Sequence, residues 1–230
     1  HPGDMKPPLN IYFSGYRPAE GFEGFVMMRR MGSPFILFSD PRLEGGSFYM
    51  GSQELEDQIV AYIDQYLDWL GFGPKEMNFS GLSMGTFGAL YYGSSYSPHA
   101  ILVGKPIVNL GDVAANLKFK RPDEFGTSLD MMQLLVGQVS REGIDLLNQR
   151  FWDRFNQADL KDTILAMAYM RDDDYDQLAY PKILEALYDH PVRIISSSRP
   201  GRHNDASAPI VEWFLTQYKE IMERDFGRIE

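Results

Sequence analysis

Cysteine is absent from this 230-residue chain, and long apolar runs are absent as well. Without cysteine the chain can form no disulfide and offers no thiolate to a metal ion. The most apolar segments, such as residues 100–103 and 163–170, are far shorter than the roughly 20 residues needed to cross a bilayer. Residues 1–10 lack the apolar core of a secretory signal. We therefore expect no disulfide, no transmembrane segment and no export signal in the chain as given.

Positive charge is also scarce, with 22 lysines and arginines against 32 acidic residues and a net charge of -10. This balance opposes the counterion release that drives binding to nucleic acid, so DNA and RNA are not expected as partners. No G-x-G-x-x-G or Walker pattern suggests a nucleotide. The four histidines are not paired at ligand spacing, so we predict neither a metal nor a bound cofactor.

Hydrophobic residues are plentiful at 44%, enough for one sizeable core over residues 1–230, while the length is too short for two ordinary α/β domains. Short apolar runs alternate with longer amphipathic segments, which predicts an α/β fold with a mostly parallel sheet and helices on both faces. The predicted strands are residues 11–14, 35–39, 77–80, 100–103, 163–170 and 192–197.

Helices are predicted between these strands from the spacing of apolar residues. The clearest covers residues 53–70, where Leu55, Ile59, Ile63 and Leu67 recur every four residues before Gly71. Residues 111–160 break the alternation of strands and helices, and we interpret them as a helical lid inserted between two strands. Further predicted helices are residues 84–92, 131–139, 144–155 and 209–224, the last beginning near Ser207.

The strongest catalytic signal is the pentapeptide Gly81-Leu82-Ser83-Met84-Gly85, which follows a predicted strand and precedes a predicted helix. In that context G-x-S-x-G is typical of the nucleophile elbow of α/β hydrolases. Glycines are needed because side chains two positions from the serine would collide in so tight a turn. Free N–H groups at the helix start favour a developing negative charge. The sequence thus predicts an α/β-hydrolase-like fold with Ser83 as nucleophile.

A serine hydroxyl needs a neighbouring base, and histidine is the usual one. His1 stands at the start of the chain, whereas His99 and His190 precede predicted strands and would face away from an elbow at strand exits. His203 follows the last predicted strand, where this fold places its base. We therefore predict that His203 activates Ser83.

A carboxylate should orient the histidine from the loop after the penultimate strand, giving the chain order Ser, acid, His. Residues 171–176 (RDDDYD) occupy that loop. Asp173 is the predicted acid, because the acid generally sits a few residues past the last buried strand residue. Asp172 and Asp174 stay open as alternatives, and a solvated acidic loop is the non-catalytic interpretation.

An oxyanion hole in such a site takes two N–H donors. One belongs to the residue after the nucleophile, Met84. The other is expected from the loop after the first strand, where Gly15 would permit a tight turn that points the Tyr16 N–H inward. Arg17, in the same loop, is a candidate for holding an anionic group.

Residues 44–49 (EGGSFY) follow the second predicted strand and are expected on the rim of the same site. Glycine-rich, aromatic loops of this kind can shape a sugar or acyl pocket. Ser47 in this loop is the alternative nucleophile, but it lacks the strand-elbow-helix context of Ser83.

Three runs of this sequence resemble a known family. They are residues 11–17 (IYFSGYR), 40–49 (DPRLEGGSFY) and 79–93 (FSGLSMGTFGALYYG). Together they are similar to the second accessory secretory protein family of the bacterial accessory Sec system, and the similarity covers nearly the whole chain. The resemblance implies that the chain corresponds to the C-terminal, hydrolase-like part of a longer protein.

The resemblance further implies a cytoplasmic enzyme that works with the other accessory secretory proteins and the accessory Sec translocase. Such an enzyme would support the export of serine-rich-repeat glycoprotein adhesins and O-acetylate their N-acetylglucosamine residues. Ser83 and His203 match the family's nucleophile and base, and the family's acid position falls within residues 172–174. The acetyl donor is left open.

Three functions are compatible with these residues. An O-acetyltransferase and a carboxylesterase share an acyl-enzyme on Ser83, and they differ in whether a sugar hydroxyl or water accepts the acyl group. A non-catalytic adhesin-binding subunit would keep the fold for its contacts alone. Replacing Ser83 with alanine distinguishes the binding subunit from the two enzymes, because only the binding subunit would keep its export function and complex formation with no activity to lose.

Overall fold

The computed structural model describes residues 1–16, 21–43, 46–116, 128–205 and 207–229. Its six strands pair in parallel throughout, in the order β2-β1-β3-β4-β5-β6. Their bounds are β1 Leu9–Phe13, β2 Phe35–Phe38, β3 Met77–Leu82, β4 Ala100–Gly104, β5 Ile164–Met170 and β6 Arg193–Arg199. Each predicted strand is present within two residues of its expected bounds, so the predicted parallel α/β sheet is confirmed.

Because every strand runs in the same direction, the carboxyl ends of the strands meet at one edge of the sheet. Phe13 at the end of β1 lies opposite Gly81 of β3, and Gly81 lies opposite Val103 of β4. Open parallel sheets bind ligands at this edge, in the loops that follow the strands. All predicted catalytic residues follow strands and therefore belong to it.

Eight α-helices occur in the described part of the chain, and α2 matches its prediction at both ends. The Ser52 side chain accepts the Leu55 N–H at 3.3 Å to begin it, and Gly71 ends it with a φ of 70°. The helices are α1 Phe25–Arg30, α2 Gln53–Leu70, α3 Met84–Gly93, α4 Leu110–Ala115, α5 Ser128–Val136, α6 Arg141–Phe155, α7 Asp174–Ala186 and α8 Ser207–Phe226.

Three of these helices, α1, α4 and α7, have no individual counterpart among the helices predicted from the sequence. The first two are only six residues long. The third contains Pro181, which lacks an N–H and is disfavoured inside a helix. α7 matters for the site, because it begins directly after the acidic loop that follows β5.

The sheet separates two hydrophobic cores, since successive strand residues point to opposite faces. Ile101 belongs to the core shared with α2, α3 and α6, whereas its neighbour Leu102 belongs to the core shared with α1 and α8. Helices therefore cover both faces of the sheet, as predicted, and hold its strand ends in place.

The predicted lid, residues 111–160, packs against the main core where the structure describes it. The Phe151 ring lies 5.5 Å from the Phe87 ring of α3. Asn148 of α6 accepts the N–H groups of Gly111 and Asp112 at 2.9 and 3.1 Å. Residues 117–127 lie outside the described residues. Of the helices described, none has both the length and the hydrophobicity to cross a membrane.

Candidate active site

Ser83 occupies a strained turn between β3 and α3, with φ 52° and ψ -119°. The flanking glycines are required by space. A Cβ atom on Gly81 would lie 2.3 Å from the Gly85 carbonyl oxygen, and one on Gly85 would lie 2.0 Å from the Phe13 carbonyl oxygen. The Ser83 N–H donates to the Gly104 carbonyl at 2.8 Å, which ties the turn to β4. This is the backbone geometry that the elbow motif predicts.

His203 lies against the Ser83 side chain, with 2.6 Å between Ser83 Oγ and His203 Nε2. The residue is 6% exposed, and the Tyr175 ring packs edge-on against its imidazole at 5.6 Å. His99 is engaged elsewhere, because its Nε2 lies 2.8 Å from a carboxylate oxygen of Asp225. The structure thus brings together the serine and the histidine that the sequence selected.

The carboxylate at hydrogen-bond distance from His203 Nδ1 belongs to Asp176, at 3.3 Å. Asp173, the acid chosen from the sequence, has its nearest oxygen 3.8 Å from the same nitrogen. Its Oδ2 atom instead accepts the backbone N–H of His203 at 2.6 Å. The geometry therefore favours Asp176 over Asp173 as the partner of the imidazole ring.

Asp173 is occupied as the cap of α7. Its side chain accepts the N–H groups of Tyr175 and Asp176 at 2.9 and 3.4 Å, which satisfies two free donors of the first helical turn. A capping side chain followed three residues later by Glu or Gln is a helix-start signature, and in this sequence Asp174 with Gln177 fits it. That signal places a helix start in this loop, but only the structure identifies Asp173 as the cap and Asp176 as the residue one turn further in.

The other two aspartates of the predicted run lie nearer the surface. Asp172 is exposed, and its Oδ2 accepts the Gly201 N–H at 2.7 Å, which joins the acidic loop to the loop that carries His203. Asp174 is the half-buried first residue of α7. Since Asp176 is the residue whose carboxylate meets the imidazole of His203, both are weaker candidates than Asp176.

Burial shapes the charge of the site. The Asp176 side chain is fully buried, and this burial raises its pKa, while the hydrogen bond and charge of His203 and the Met170 N–H act in the opposite direction. The Met170 N–H donates to Asp176 Oδ2 at 2.6 Å. A buried carboxylate whose ionised form depends on the histidine beside it is suited to stabilise an imidazolium.

Asp173, Asp176 and His203 also bring one potential metal-ligand atom each to within 4.8 Å of one another. Their hydrogen bonds account for this arrangement without an ion. Both carboxylates accept backbone N–H groups, and the imidazole spans from Asp176 to Ser83. We therefore treat the cluster as part of a Ser-His-acid site.

The predicted oxyanion loop after β1 is held firmly next to the elbow. The Gly15 N–H donates to Glu23 Oε2 at 2.8 Å, and the Ser14 carbonyl accepts the hydroxyl of Tyr49. Tyr16 follows directly and is 44% exposed. Met84 is the first residue of α3, where backbone N–H groups have no partner within the helix. Arg17 lies outside the described residues.

The rim loop, residues 46–49 where it is described, contacts this region. Gly46 is so close to Met84 that a Cβ atom on it would lie 1.9 Å from the Met84 sulfur. Ser47 is fully buried, and its hydroxyl donates to Asp40 Oδ2 at 2.9 Å. Ser47 therefore braces the loop, which weakens its candidacy as nucleophile. Residues 44 and 45 lie outside the described residues.

A family model described as "Accessory Sec system GspB-transporter" matches residues 1–228. The chain is 53% identical over 230 residues to an accessory Sec system protein of Staphylococcus aureus (strain NCTC 8325 / PS 47), covering 100% of the chain and 44% of that protein. It is 46% identical over 228 residues to the protein of the same name from Streptococcus gordonii, covering 99% of the chain and 45% of that protein. The chain thus spans less than half the length of these relatives.

Among solved structures, the glycosylation-associated Gap123 complex from Streptococcus agalactiae contains a chain with a TM-score of 0.93 and 47% identity, covered over 100% of this chain and 44% of that one. The capsule O-acetyltransferase of Neisseria meningitidis serogroup A gives a TM-score of 0.73 at 20% identity, covering 97% and 89%. A Bacillus cereus carboxylesterase gives 0.55 at 12% identity, covering 96% and 92%. The fold is α/β-hydrolase-like, as predicted.

Proposed function

The chain belongs to the accessory Sec system GspB-transporter family, and we propose that it is an acyl-transfer enzyme that O-acetylates N-acetylglucosamine on serine-rich-repeat adhesins. The family resemblance found in the sequence is thereby confirmed. The observation that carries the enzymatic part of the proposal is the 2.6 Å contact between Ser83 Oγ and His203 Nε2, with Asp176 on the opposite ring nitrogen.

Ser83 acts as the nucleophile. His203 takes the hydroxyl proton as Oγ attacks the acyl carbonyl, and Asp176 stabilises the imidazolium that forms. The leaving group departs with that proton and leaves an acetyl ester on Ser83. A sugar hydroxyl then attacks the ester while His203 removes its proton, and the proton returns to Ser83 as the acetyl group is transferred.

The oxyanion of each tetrahedral intermediate is stabilised by the Met84 and Tyr16 N–H groups. Met84 suits this role because its N–H stands at the start of α3, next to the nucleophile. Tyr16 suits it because Glu23 and Tyr49 fix the two residues before it. Preorganised donors of this kind lower the barrier more than donors that must first be ordered.

A transferase must bind the sugar and keep water from the acyl-enzyme. The rim loop and the helices of residues 128–160 are the elements we assign to this task. The meningococcal enzyme of the same fold, solved in one case with CoA, makes acetyl-coenzyme A the first donor to test. Water as acceptor would make the same site a carboxylesterase.

The export role and the partners belong to the same proposal. We assign the chain to the cytoplasmic side of secretion, acting with other accessory secretory proteins, the accessory Sec translocase and the glycosylated adhesin. The relationship to a chain of the Gap123 complex supports an assembly with other proteins of this kind. A non-catalytic binding subunit is the competing proposal.

The decisive experiment is intact-mass spectrometry after incubation with a fluorophosphonate. Oγ of an activated serine displaces fluoride from phosphorus, and the added mass counts the modified sites. We expect one adduct on the wild type and none on Ser83→Ala or His203→Ala. Ser47→Ala is the matched control, because it removes the alternative serine, and it should still carry one adduct.

Once labelling is established, fresh unlabelled protein is incubated with acetyl-coenzyme A and a peptide bearing N-acetylglucosamine. Acetyl transfer to the sugar that is lost in Ser83→Ala supports the transferase. Release of acetate at the same rate with and without the sugar points to an esterase. Absence of any adduct on the wild type contradicts the enzymatic proposal and favours the binding subunit.

A further inference from the structure

Lys105 is a buried lysine next to the candidate active site, and neither its sequence context nor the elbow motif draws attention to it. It follows Gly104 at the end of β4 and is 6% exposed. Its ammonium donates to the carbonyl oxygen of His203 and to Oγ of Ser207, both at 2.9 Å. A lysine is seldom buried without such partners.

The backbone of Lys105 is fixed as well. Its φ of 59° is rare for a residue with a side chain, and conformations of this kind persist only where the surroundings enforce them. Its N–H donates to the Ala168 carbonyl of β5 at 2.9 Å, and the preceding Gly104 carbonyl accepts the Ser83 N–H. Residues 104–105 therefore contact the nucleophile turn, the strand before the acid and the loop of the base.

Several charged groups face this ammonium. Asp176 and Asp173 approach it from the start of α7, and Glu23 approaches it from the segment before α1. Burial is the larger effect and lowers the pKa of Lys105 below its usual value, while these three carboxylates act in the opposite direction. The imidazole of His203 stands among the same groups, between Asp176 and Ser83. The cluster thus holds two buried carboxylates next to the base and one buried cation.

We propose that Lys105 is a positioning residue for His203, which fixes the backbone of the base and offsets the negative charge around its imidazole. The inference rests on the proposed function of the Ser83–His203 pair. Without the Lys105 ammonium, the His203 carbonyl loses its donor, and a loop that departs from its geometry by about 1 Å can cost on the order of 100-fold in rate.

The charge of Lys105 has a second effect. A nearby ammonium disfavours the imidazolium form of His203, whereas Asp176 and Asp173 favour it. Removal of the ammonium therefore takes away a charge that opposes protonation of the base, and labelling of Ser83 should lose rate at a higher pH than in the wild type. A residue that only supports the fold would not move this pH dependence.

The test compares Lys105→Met with Lys75→Met in the fluorophosphonate reaction across pH. Lys75 is the matched control, because its ammonium also donates to oxygens, those of Pro98, Lys161 and Thr163, away from the catalytic loops. We expect Lys105→Met to slow labelling of Ser83 by about 10- to 100-fold. The acid limb of the pH profile of this labelling rate should move to higher pH by about 0.5 unit or more. Lys75→Met should match the wild type in both.

Equal rates and an unshifted acid limb in Lys105→Met would overturn the inference. If that variant does not fold, Lys105→Gln takes its place, since it keeps an N–H donor and loses the charge. It should be labelled more slowly than the wild type and should show the shifted acid limb. If the wild type itself is not labelled, the proposed function fails, and an NMR pH series then follows protonation of the His203 imidazole in the same variants. Protonation at the same pH in Lys105→Met and the wild type would overturn the inference.

Discussion

Asp173 and His203 are joined through the main chain, because Asp173 Oδ2 accepts the His203 N–H at 2.6 Å. The imidazole ring has a different partner, Asp176, whose Oδ1 lies 3.3 Å from Nδ1. Two carboxylates thus divide the work on one histidine. One fixes where the residue stands, and the other fixes how its ring is oriented.

This division predicts that Asp176→Asn is far more harmful than Asp173→Asn. An asparagine at 176 would turn an amide N–H₂ toward Nδ1 and favour the wrong tautomer, so we expect labelling of Ser83 to slow by about 10³- to 10⁴-fold. Asparagine at 173 still offers an oxygen to the backbone N–H groups and should slow labelling by roughly tenfold or less. Rates are measured by mass spectrometry over time. The reverse order of effects would make Asp173 the orienting acid.

Asp176→Asn should also change how the stability of the protein depends on pH. Since burial raises the pKa of Asp176, the folded protein holds the proton more tightly than the unfolded chain, whose value is 3.8. The wild type therefore loses stability as pH rises from about 4 through the folded pKa, and a non-titrating asparagine does not. The Tm of Asp176→Asn minus that of the wild type should increase from about pH 4 to pH 7.

Asp225 provides the control of opposite sign. Its hydrogen bond from Arg224 lowers its pKa to about 2, so its ionised form stabilises the fold above the unfolded value of 3.8. This stability is lost as pH falls through about 2. Asp225→Asn should therefore melt below the wild type at neutral pH, and the gap should close in acid. A parallel trend in both variants would contradict the assignment for Asp176.

Gly85→Ala is expected to destabilise the fold severely, because its Cβ atom would lie 2.0 Å from the Phe13 carbonyl oxygen. The backbone of β1 or α3 would have to move, at a cost of about 3 kcal/mol or more. Gly73→Ala is the matched control, since its Cβ would meet only Glu76, at 3.9 Å. Urea unfolding should place the control within about 0.5 kcal/mol of the wild type. Equal stability of both variants would show that the turn is not held as described.

Tyr49→Phe tests whether the oxyanion loop depends on the rim loop. The change removes the hydroxyl that donates to the Ser14 carbonyl, and we expect acylation of Ser83 to slow by roughly tenfold, with about 1 kcal/mol of stability lost. Tyr96→Phe removes a hydroxyl that donates to Asp64 at 2.8 Å, away from the site. That control should lose stability and keep the rate. A wild-type rate in Tyr49→Phe would show that the oxyanion loop does not depend on the rim loop.

The repeating patterns of the sequence predicted the sheet, α2 and the elbow, because those elements obey local rules. Apolar runs mark buried strands, and the glycines around Ser83 follow from crowding within one turn. The histidine was found by elimination, since His203 alone follows the last predicted strand. All of these features can be recognised from the order of residues along the chain.

Asp176 and Lys105 were beyond that reach. Which of several neighbouring carboxylates meets His203 depends on where α7 begins, and Pro181 obscured that helix. A lysine directly after a strand looks like an exposed charge, and only the folded chain shows that the loop of His203 covers it. Both residues gain their positions from contacts between segments that are distant in sequence.

The order of the strands also sets a minimum length for the loop that follows β6. β4 and β5 lie between β3, which precedes Ser83, and β6, which precedes His203, so β3 and β6 stand about 14 Å apart at the usual spacing. Yet the serine and histidine atoms are 2.6 Å apart. Residues 200–205 must therefore run back across two strands, and a deletion there would part the pair even with every strand intact. Engineering of this fold should vary helix surfaces and leave that span at its natural length.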